Sequence, residues 1–323
     1  MEINMQTTVR KAICLIISSL LCIALFSCVE GPSVTTRTSG GSSETDEVLN
    51  GYCEHIEYSN GVFSGNFING KRSGEGTFVY MNGDKYVGNY ENDMRNGSGT
   101  VYYASGDVFS GNFKDNVISG AGTMHYASGD VFEGNYENNV RSGKGKYTWK
   151  NGDVYTGDYK NDMRSGTGTI VYANKDKYTG QWKDNMISGQ GKFIWADGNV
   201  YDGAFENNLS NGRGVLTYAD GTVYTGLFSD GKQNDPNAVI NYANKTKYTG
   251  SVVNGVLSGE GSITYENGDI ASGTFVNGVI QGNGTYTLIG NSVYIKSDSG
   301  YFKLNSGKNN VIFKDGIVVS LAG

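Results

Sequence analysis

Hydrophobic and polar residues alternate with a period of two along short segments of this chain, and the alternation returns every 23 residues. In residues 154–159 and 166–172 it places Tyr155 and Ile170 on one face and Thr156 on the other. Alternation of this kind predicts β-strands with one buried and one solvated face. Each unit is therefore predicted to contain two strands, with aromatic and aliphatic side chains on the buried face.

A glycine lies at the same place in every unit, and in most units it lies between two aromatic residues, as Gly157 does between Tyr155 and Tyr159. A residue without a Cβ atom leaves room for aromatic rings to lie across the backbone. The repeat-defining glycines are Gly65, Gly88, Gly111, Gly134, Gly157, Gly180, Gly203, Gly226, Gly250 and Gly273.

Turn sequences such as Asn-Gly and Asp-Gly join most units to the next, and they tolerate the positive φ of tight hairpin turns. In two units Lys175 or Lys245 replaces the turn glycine, and there we expect Asn174 or Asn244 to adopt the positive φ. Each unit is therefore predicted to be one β-hairpin.

Self-similarity at a fixed period of about 20–50 residues is typical of an array whose units are stabilised by their neighbours. We therefore expect an all-β fold, an elongated single-layer antiparallel β-hairpin solenoid of about ten 23-residue repeats with β caps. Two strands per repeat correspond to roughly 10 Å. The array is predicted to cover residues 63–285, with a half-repeat cap over residues 51–62 and a degenerate β cap over residues 286–323.

One unit departs from the pattern. It carries one extra residue, and Asp235-Pro236-Asn237 replaces the usual Gly-x-Gly, which predicts a bulge or kink near residues 231–238. A break makes the surface unique along the array, so it suits recognition by a single partner. The candidate partner-binding residues are Lys232, Asp235, Pro236 and Asn237.

The order aromatic-x-Gly-x-aromatic, then Gly-x-Gly, then aromatic-x-x-Gly recurs over residues 63–285 and resembles the membrane occupation and recognition nexus (MORN) repeat. The resemblance implies stacked hairpins with roles in scaffolding, oligomerisation and membrane-proximal attachment. Relatives fuse such repeats to lipid-kinase or methyltransferase domains. No long segment outside the repeats fits such a domain here, so a non-enzymatic protein is expected.

Residues 1–27 are predicted to be an export signal, because Arg10 and Lys11 precede an apolar run that is short for a membrane span. The run ends in Leu25-Phe26-Ser27-Cys28, which resembles a bacterial lipobox and implies lipidation of Cys28. The alternative is an ordinary signal peptide with a chance cysteine, or a retained anchor. Residues 28–50 are polar and are predicted to be a disordered tether. We therefore expect a membrane-anchored lipoprotein of the bacterial cell envelope, periplasmic or surface-facing.

The net charge of −6 argues against nucleic acid and against electrostatic binding to anionic lipid headgroups. The two histidines, His55 and His125, have no metal-ligand neighbour at Cys/His spacing, and each Gly-x-Gly lies inside a repeat. No catalytic, cofactor or metal site is therefore predicted. Cys53 is the one cysteine left beyond Cys28, so the mature chain is expected to have no internal disulfide.

An acidic column follows the turns between units, and two interpretations of it are open. The carboxylates could cap the turns, or they could bind calcium. Calcium needs six or more oxygens around one centre, whereas residues one repeat apart lie roughly 10 Å apart, which favours capping. The column consists of Asp84, Asp107, Asp130, Asp153, Asp176 and Asp269.

The leading hypothesis is a non-enzymatic, lipid-anchored envelope protein that acts as an extended scaffold, binding a protein partner or a second copy of itself. The alternative is a glycan or cell-wall binding module in which Trp149, Trp182 and Trp195 stack on sugar rings instead of filling the core. An enzyme or an enzyme accessory subunit is the remote alternative. Half-exposed rings across adjacent repeats would favour glycan, and an apolar patch at the C-terminal cap would favour protein.

Overall fold

The computed structural model describes residues 49–297 and 300–323, and its regular elements are all β-strands. The predicted export signal, Cys28 and most of the predicted tether lie outside these residues. Within the described part of the chain, no helix has the length and apolar character needed to cross a membrane.

The described chain divides into two compact units. The N-terminal unit contains residues 49–173 and 183–185, and the C-terminal unit contains residues 174–182 and 186–323. The first eleven strands are β1 (Gly51–Tyr58), β2 (Gly61–Ile68), β3 (Lys71–Tyr80), β4 (Lys85–Glu91), β5 (Met94–Tyr102), β6 (Val108–Lys114), β7 (Val117–His125), β8 (Val131–Glu137), β9 (Val140–Thr148), β10 (Val154–Lys160) and β11 (Met163–Val171).

The following strands are β12 (Lys177–Lys183), β13 (Met186–Ile194), β14 (Val200–Glu206), β15 (Leu209–Thr217), β16 (Val223–Ser229), β17 (Lys232–Gln233), β18 (Asp235–Asn241), β19 (Lys247–Val253), β20 (Val256–Thr264), β21 (Ile270–Val276), β22 (Val279–Leu288), β23 (Val293–Ser297), β24 (Gly300–Leu304), β25 (Gly307–Lys314) and β26 (Ile317–Leu321).

In the N-terminal unit each strand from β1 to β11 pairs antiparallel with the next. In the hairpin of β10 and β11, Tyr155 lies opposite Ile170 and Gly157 opposite Gly168. The register then shifts by two residues, so that Tyr159 lies opposite Arg164. The bulge recurs in the other hairpins of this unit, so it is a feature of the repeat.

The C-terminal unit continues with antiparallel pairs from β13 to β16 and from β18 to β22. Strand β16 pairs with both β17 and β18, and the register of β18 and β19 shifts between Asp235 and Ala238. The predicted irregularity near residues 231–238 is therefore confirmed as a β-bulge. Beyond β22 the sheet continues through β25 to β26, while β23 and β24 form a separate hairpin.

Aromatic side chains on one face of the hairpins form the core. Tyr155 is 0% exposed and Ile170 is 1% exposed, whereas Thr156 on the opposite face is exposed. The ring of Tyr155 meets that of Tyr159 edge to face, with centroids 5.4 Å apart, and Tyr159 meets Phe132 of the preceding repeat at 5.1 Å. Edge-to-face contacts of this kind stabilise beyond the area they bury. The all-β, antiparallel hairpin fold and the assignment of the buried face are confirmed.

The turns correct one prediction. Lys175 and Lys245 themselves adopt positive φ, of 75° and 66°, and Asn174 and Asn244 do not. The reason is that Asn174 Oδ1 accepts a hydrogen bond from the backbone N–H of Asp176, at 3.0 Å, and Asn244 holds its turn in the same way. The asparagine is fixed by this bond, so the next residue must take the left-handed conformation.

Candidate functional site

Each acidic residue of the predicted column caps the turn of the following repeat. Asp153 Oδ1 accepts a hydrogen bond from the backbone N–H of Ala173 at 2.8 Å, and Asp153 Oδ2 accepts one from Asn151 Nδ2 at 3.0 Å. The carboxylate of Asp176 binds Ala196 N–H in the same way and is only 3% exposed. These carboxylates therefore connect consecutive hairpins. Within the described residues no group of His, Cys, Asp or Glu is arranged to hold a metal ion.

A second ladder connects the hairpins at their other end, and the sequence analysis missed it. The two turn residues Asn161 and Asp162 both have positive φ. Asp162 Oδ1 accepts hydrogen bonds from the backbone N–H of Arg141, at 2.9 Å, and from its Nε atom, at 3.0 Å. The 23-residue recurrence of Asx pairs in these turns was the signal that could have revealed it.

Arginines from this second ladder insert into the aromatic face. The Arg141 guanidinium lies 5.5 Å from the centroid of Phe132 and 5.3 Å from that of Tyr159. A guanidinium over a ring face at this distance is attracted by the ring quadrupole. The arginines that stack in this way are Arg72, Arg95, Arg141 and Arg164.

The candidate residues of the irregular unit divide into one buried and three exposed positions. Lys232, Pro236 and Asn237 are exposed, whereas Asp235 is 7% exposed. Asp235 Oδ2 accepts a hydrogen bond from Leu227 N–H at 2.8 Å, and its Oδ1 accepts one from Asn237 N–H at 2.7 Å. The Asp235 carboxylate thus satisfies the backbone at the bulge and is not displayed to a partner.

The three tryptophans do not form one surface. Trp182 is 4% exposed and meets Tyr178 edge to face at 5.4 Å, so it belongs to the core of the C-terminal unit. Trp149 and Trp195 are half-buried and contact Tyr147 and Phe193 at 4.5 and 4.6 Å. These two rings occupy a position that is aromatic in each repeat from Tyr80 to Tyr265.

One half-buried aromatic residue per repeat lies along the N-terminal unit. We call this set the aromatic row; it consists of Tyr80, Tyr103, Tyr126, Trp149 and Tyr172. Its members come from consecutive repeats, and each lies at or just beyond the end of the second strand of a hairpin. A row of partly exposed rings can contact a ligand that itself has a regular repeat.

The C-terminal cap presents a cleft of about 570 Å³ between the β23–β24 hairpin and the strands beside it. Its lining includes Tyr286, Leu288, Ile295 and Leu304. At the base of the cleft, Asp269 Oδ2 accepts a hydrogen bond from the Tyr286 hydroxyl at 3.1 Å. Apart from this hydrogen-bonded pair, most of the side chains that line the cleft are apolar.

Large apolar side chains are also exposed in this cap, and one of them, Ile317, lines the cleft. Ile289 is 60% exposed, Tyr294 70%, Tyr301 72% and Ile317 67%. Strand β26 pairs with β25, and no other strand among the described residues pairs with it. We call the cleft, these four residues and β26 the cap surface. Exposed apolar residues near an edge strand are typical of interaction sites.

The fold defines a repeat protein that is built of consecutive antiparallel β-hairpins. The MORN repeat family matches nine segments that cover more than half of the chain, and the chain belongs to this family. The segments are residues 63–85, 86–108, 109–131, 132–154, 155–177, 178–200, 201–223, 248–270 and 272–292. The match passes over residues 224–247, which contain the bulged unit. Family membership indicates a repeat scaffold or binding protein.

Comparison with curated protein sequences finds no match. Among solved structures, the chain is similar to the wild-type TCP10 domain of Danio rerio CPAP, with 12% identity over 61% of this chain and 93% of that chain and a TM-score of 0.37. The same domain in complex with a peptide of Danio rerio STIL has 14% identity over 72% and 96% of the two chains and a TM-score of 0.31. TM-scores this low carry no conclusion about function.

Proposed function

We propose that this protein is a non-enzymatic scaffold of the bacterial cell envelope, held to the membrane by a lipid on Cys28, and that its cap surface docks a partner protein. The observation that carries the docking proposal is the exposed apolar cap surface at residues 286–323. Exposing such side chains to water is unfavourable, and covering them with a partner removes that cost. The lipidated residue lies outside the described part of the chain, so its support is the lipobox-like sequence alone.

Cross-linking in intact cells tests the cap surface. A photo-reactive phenylalanine analogue in place of Tyr294 is expected to give a discrete cross-linked product, because this side chain is 70% exposed beside the cleft. The product should disappear when Ile317→Asp is added, since a carboxylate would have to be desolvated in the contact. The matched control is the same analogue at Val79, an exposed β3 residue far along the sequence from the cap.

Equal cross-linking at positions 79 and 294, or a product that survives Ile317→Asp, would contradict docking at the cap surface. A product with twice the mass of the chain identifies the partner as a second copy of this protein.

The membrane anchor has a separate test. Cys28→Ser is expected to abolish acylation and to release the protein from the membrane fraction, because acyl chains bind the bilayer by about 0.8 kcal/mol per buried CH₂ group. Fractionation and mass spectrometry of the N-terminus report the outcome. A variant that stays in the membrane fraction with its signal segment attached would show a retained anchor instead of a lipoprotein.

Glycan binding is the second candidate function, and the half-buried rings of the aromatic row favour it. Sugar rings stack on aromatic faces, and a regular polysaccharide could contact one ring per repeat. Co-sedimentation with purified cell-wall polysaccharide tests this candidate, with Trp149→Ala as the variant. Loss of binding in the variant, together with intact folding by circular dichroism, would support it.

A further inference from the structure

The cleft of the cap surface has a single charged side chain among the described residues that line it, and that side chain is Asp269. Asp269 is 5% exposed. No ion pair joins it to a basic side chain in the described part of the chain. Burying a carboxylate away from water without a counter-ion is unfavourable. The cleft therefore carries a negative charge that no cation balances.

Hydrogen bonds position this carboxylate but leave it one acceptor site. Its Oδ1 atom accepts a hydrogen bond from Ile289 N–H at 2.8 Å. Its Oδ2 atom accepts hydrogen bonds from Asn267 Nδ2 at 2.9 Å and from the Tyr286 hydroxyl at 3.1 Å. An ionised carboxylate has about four acceptor sites, so one site on Oδ1 has no donor among the described residues. All three donors are neutral groups, and the charge itself stays unpaired.

The N-terminal unit contains the same tyrosine–aspartate pair with a cation beside it. The Tyr147 hydroxyl donates to Asp130 Oδ2 at 3.0 Å, across the same sequence separation as in the cap. The Arg141 guanidinium lies 5.6 Å from the centroid of the Tyr147 ring. In the cap, Ile280 occupies the position that Arg141 occupies in its own repeat. The cap pair therefore lacks the guanidinium, and its tyrosine ring borders a cleft instead.

The cleft can hold more than one cationic group. Its volume of about 570 Å³ lies within the range of about 300–1,000 Å³ that is usual for ligand pockets. Leu288, Ile295 and Leu304 give it apolar walls. The matching occupant is a cation with apolar groups next to it. A guanidinium suits this place better than an ammonium, because it stacks on aromatic faces, donates to carboxylates in a fixed geometry and is more weakly hydrated.

We propose that the cleft binds an arginine side chain of the partner protein, with apolar residues of the partner on either side of that arginine. The guanidinium stacks on the half-buried ring of Tyr286 and faces the carboxylate of Asp269. The flanking residues cover the apolar lining, which includes the exposed side chain of Ile317. This inference rests on the proposed docking at the cap surface and names the chemistry by which the partner is recognised.

Titration of the full-length protein with fluorescently labelled peptides tests the arginine assignment. The probe is Leu-Arg-Leu with blocked termini, and its control replaces arginine by citrulline, which has nearly the same shape but no charge. We expect saturable binding of the arginine peptide and binding at least about tenfold weaker for citrulline, because charge-assisted hydrogen bonds are the stronger ones. Absent binding, or equal affinity for the two peptides, overturns the proposal.

A double substitution moves the charge out of the cleft. Asn267→Asp combined with Asp269→Asn places the carboxylate on the exposed side of the turn and keeps the net charge. The same arrangement already occurs in another turn of this protein. There Asn199 Nδ2 donates to Asp197 Oδ2 at 2.9 Å, and Asn199 Oδ1 accepts from Ala219 N–H at 2.8 Å. We therefore expect the exchanged variant to fold and to bind the arginine peptide about tenfold more weakly.

The matched control makes the same exchange in the N-terminal unit, as Asn151→Asp combined with Asp153→Asn. Neither residue lines the cleft, so the affinity for the arginine peptide should be unchanged. Circular dichroism checks the folding of both variants. An undiminished affinity in the cap exchange, or an equal loss in the two exchanges, overturns the proposal. The citrulline comparison uses the unaltered protein, so it decides the question even where a variant does not fold.

Cross-linking in cells separates this inference from docking itself. The product formed from position 294 should decrease in the variant with Asn267→Asp and Asp269→Asn. An undiminished product in that variant contradicts the arginine assignment and leaves docking at the cap surface intact. Peptide binding in solution without any product in cells contradicts docking, and with it the assignment of the cleft to a partner protein; the cleft would then belong to a free organic cation.

Discussion

At the scale of single residues, the repeat glycines are fixed by the ring beside them. A Cβ atom on Gly157 would lie 2.5 Å from the Cα atom of Gly168 across the hairpin and would overlap the hydroxyl of Tyr155. The Tyr155 hydroxyl also donates to the backbone carbonyl of Asp158 at 3.0 Å, which satisfies an acceptor at the bulge. The ring of Tyr155 therefore requires the glycine beneath it and also satisfies the backbone of the bulge.

Gly157→Val tests this arrangement. Overpacking should cost about 1–3 kcal/mol, because the ring of Tyr155 cannot move without losing its hydrogen bond. Thr156→Val on the exposed face is the control, and we expect it to be nearly neutral. Urea unfolding followed by circular dichroism measures both. Equal free energies of unfolding would mean that the faces of the strand are wrongly assigned.

Lys175 is a second residue whose conformation has an energetic consequence. Its φ of 75° lies in the left-handed region, which costs a residue with a Cβ atom about 1 kcal/mol or more. Lys175→Gly should therefore stabilise the protein by about 0.5–1 kcal/mol. Lys177→Gly, at an exposed position of β12, should destabilise it instead. Thermal unfolding compares the two variants, and shifts of the same sign would contradict the argument.

At the scale of elements, each hairpin is joined to the next by three kinds of contact. The strands pair, the aromatic rings meet edge to face across repeats, and a carboxylate such as Asp153 caps the following turn. All three kinds of contact recur every 23 residues, so the interfaces between neighbouring regular repeats are equivalent. Stability in such arrays is approximately a sum of units and nearest-neighbour interfaces.

Deleting residues 109–131 removes one complete repeat and places Phe132 directly after Val108, as it now follows Val131. We expect a folded protein with lower stability and a smaller urea m-value, because one unit and its interface are lost. Deleting residues 109–130 is the control. It shifts the alternation by one residue, so every side chain of the joined strand would face the wrong way. Similar circular dichroism and stability for both deletions would contradict a strict 23-residue register.

At the scale of the whole molecule, buried tyrosines couple stability to alkaline pH. Burial raises the pKa of Tyr86, Tyr159 and Tyr248 to about 12 each, against about 10 in an unfolded chain. Between these values the folded protein holds more protons than the unfolded chain, so the free energy of unfolding falls as pH rises. The contribution is complete below about pH 10 and is lost as pH approaches about 12.

Urea unfolding across this pH range should show a falling midpoint, with phenolate absorbance appearing together with unfolding. Tyr159→Phe should reduce the slope, because one proton-holding group is removed. A midpoint that is constant between about pH 10 and 12, with free titration of all tyrosines in the folded state, would contradict the burial of these phenol groups.

The amino-acid sequence by itself determined the strands, their buried faces, the hairpin unit and the bulge at residues 231–238. These features depend on residues that are neighbours in the chain, since alternation sets the faces of a strand and a missing glycine or an added residue disturbs one hairpin. The MORN repeat family was recognisable for the same reason, because its pattern is local and recurs.

Only the tertiary structure decided which candidate side chains are exposed and which are buried. The sequence offered Asp235, Trp182 and Trp149 alike as candidate binding residues. In the structure, the Asp235 carboxylate bonds to the backbone and Trp182 lies in the core. Trp149 alone of the three is partly exposed. The left-handed φ of Lys175 and the unsatisfied hydroxyl of Tyr136 were equally hidden. Burial and hydrogen bonding depend on residues about one repeat away, which the fold brings together, and no pattern within one strand reports them.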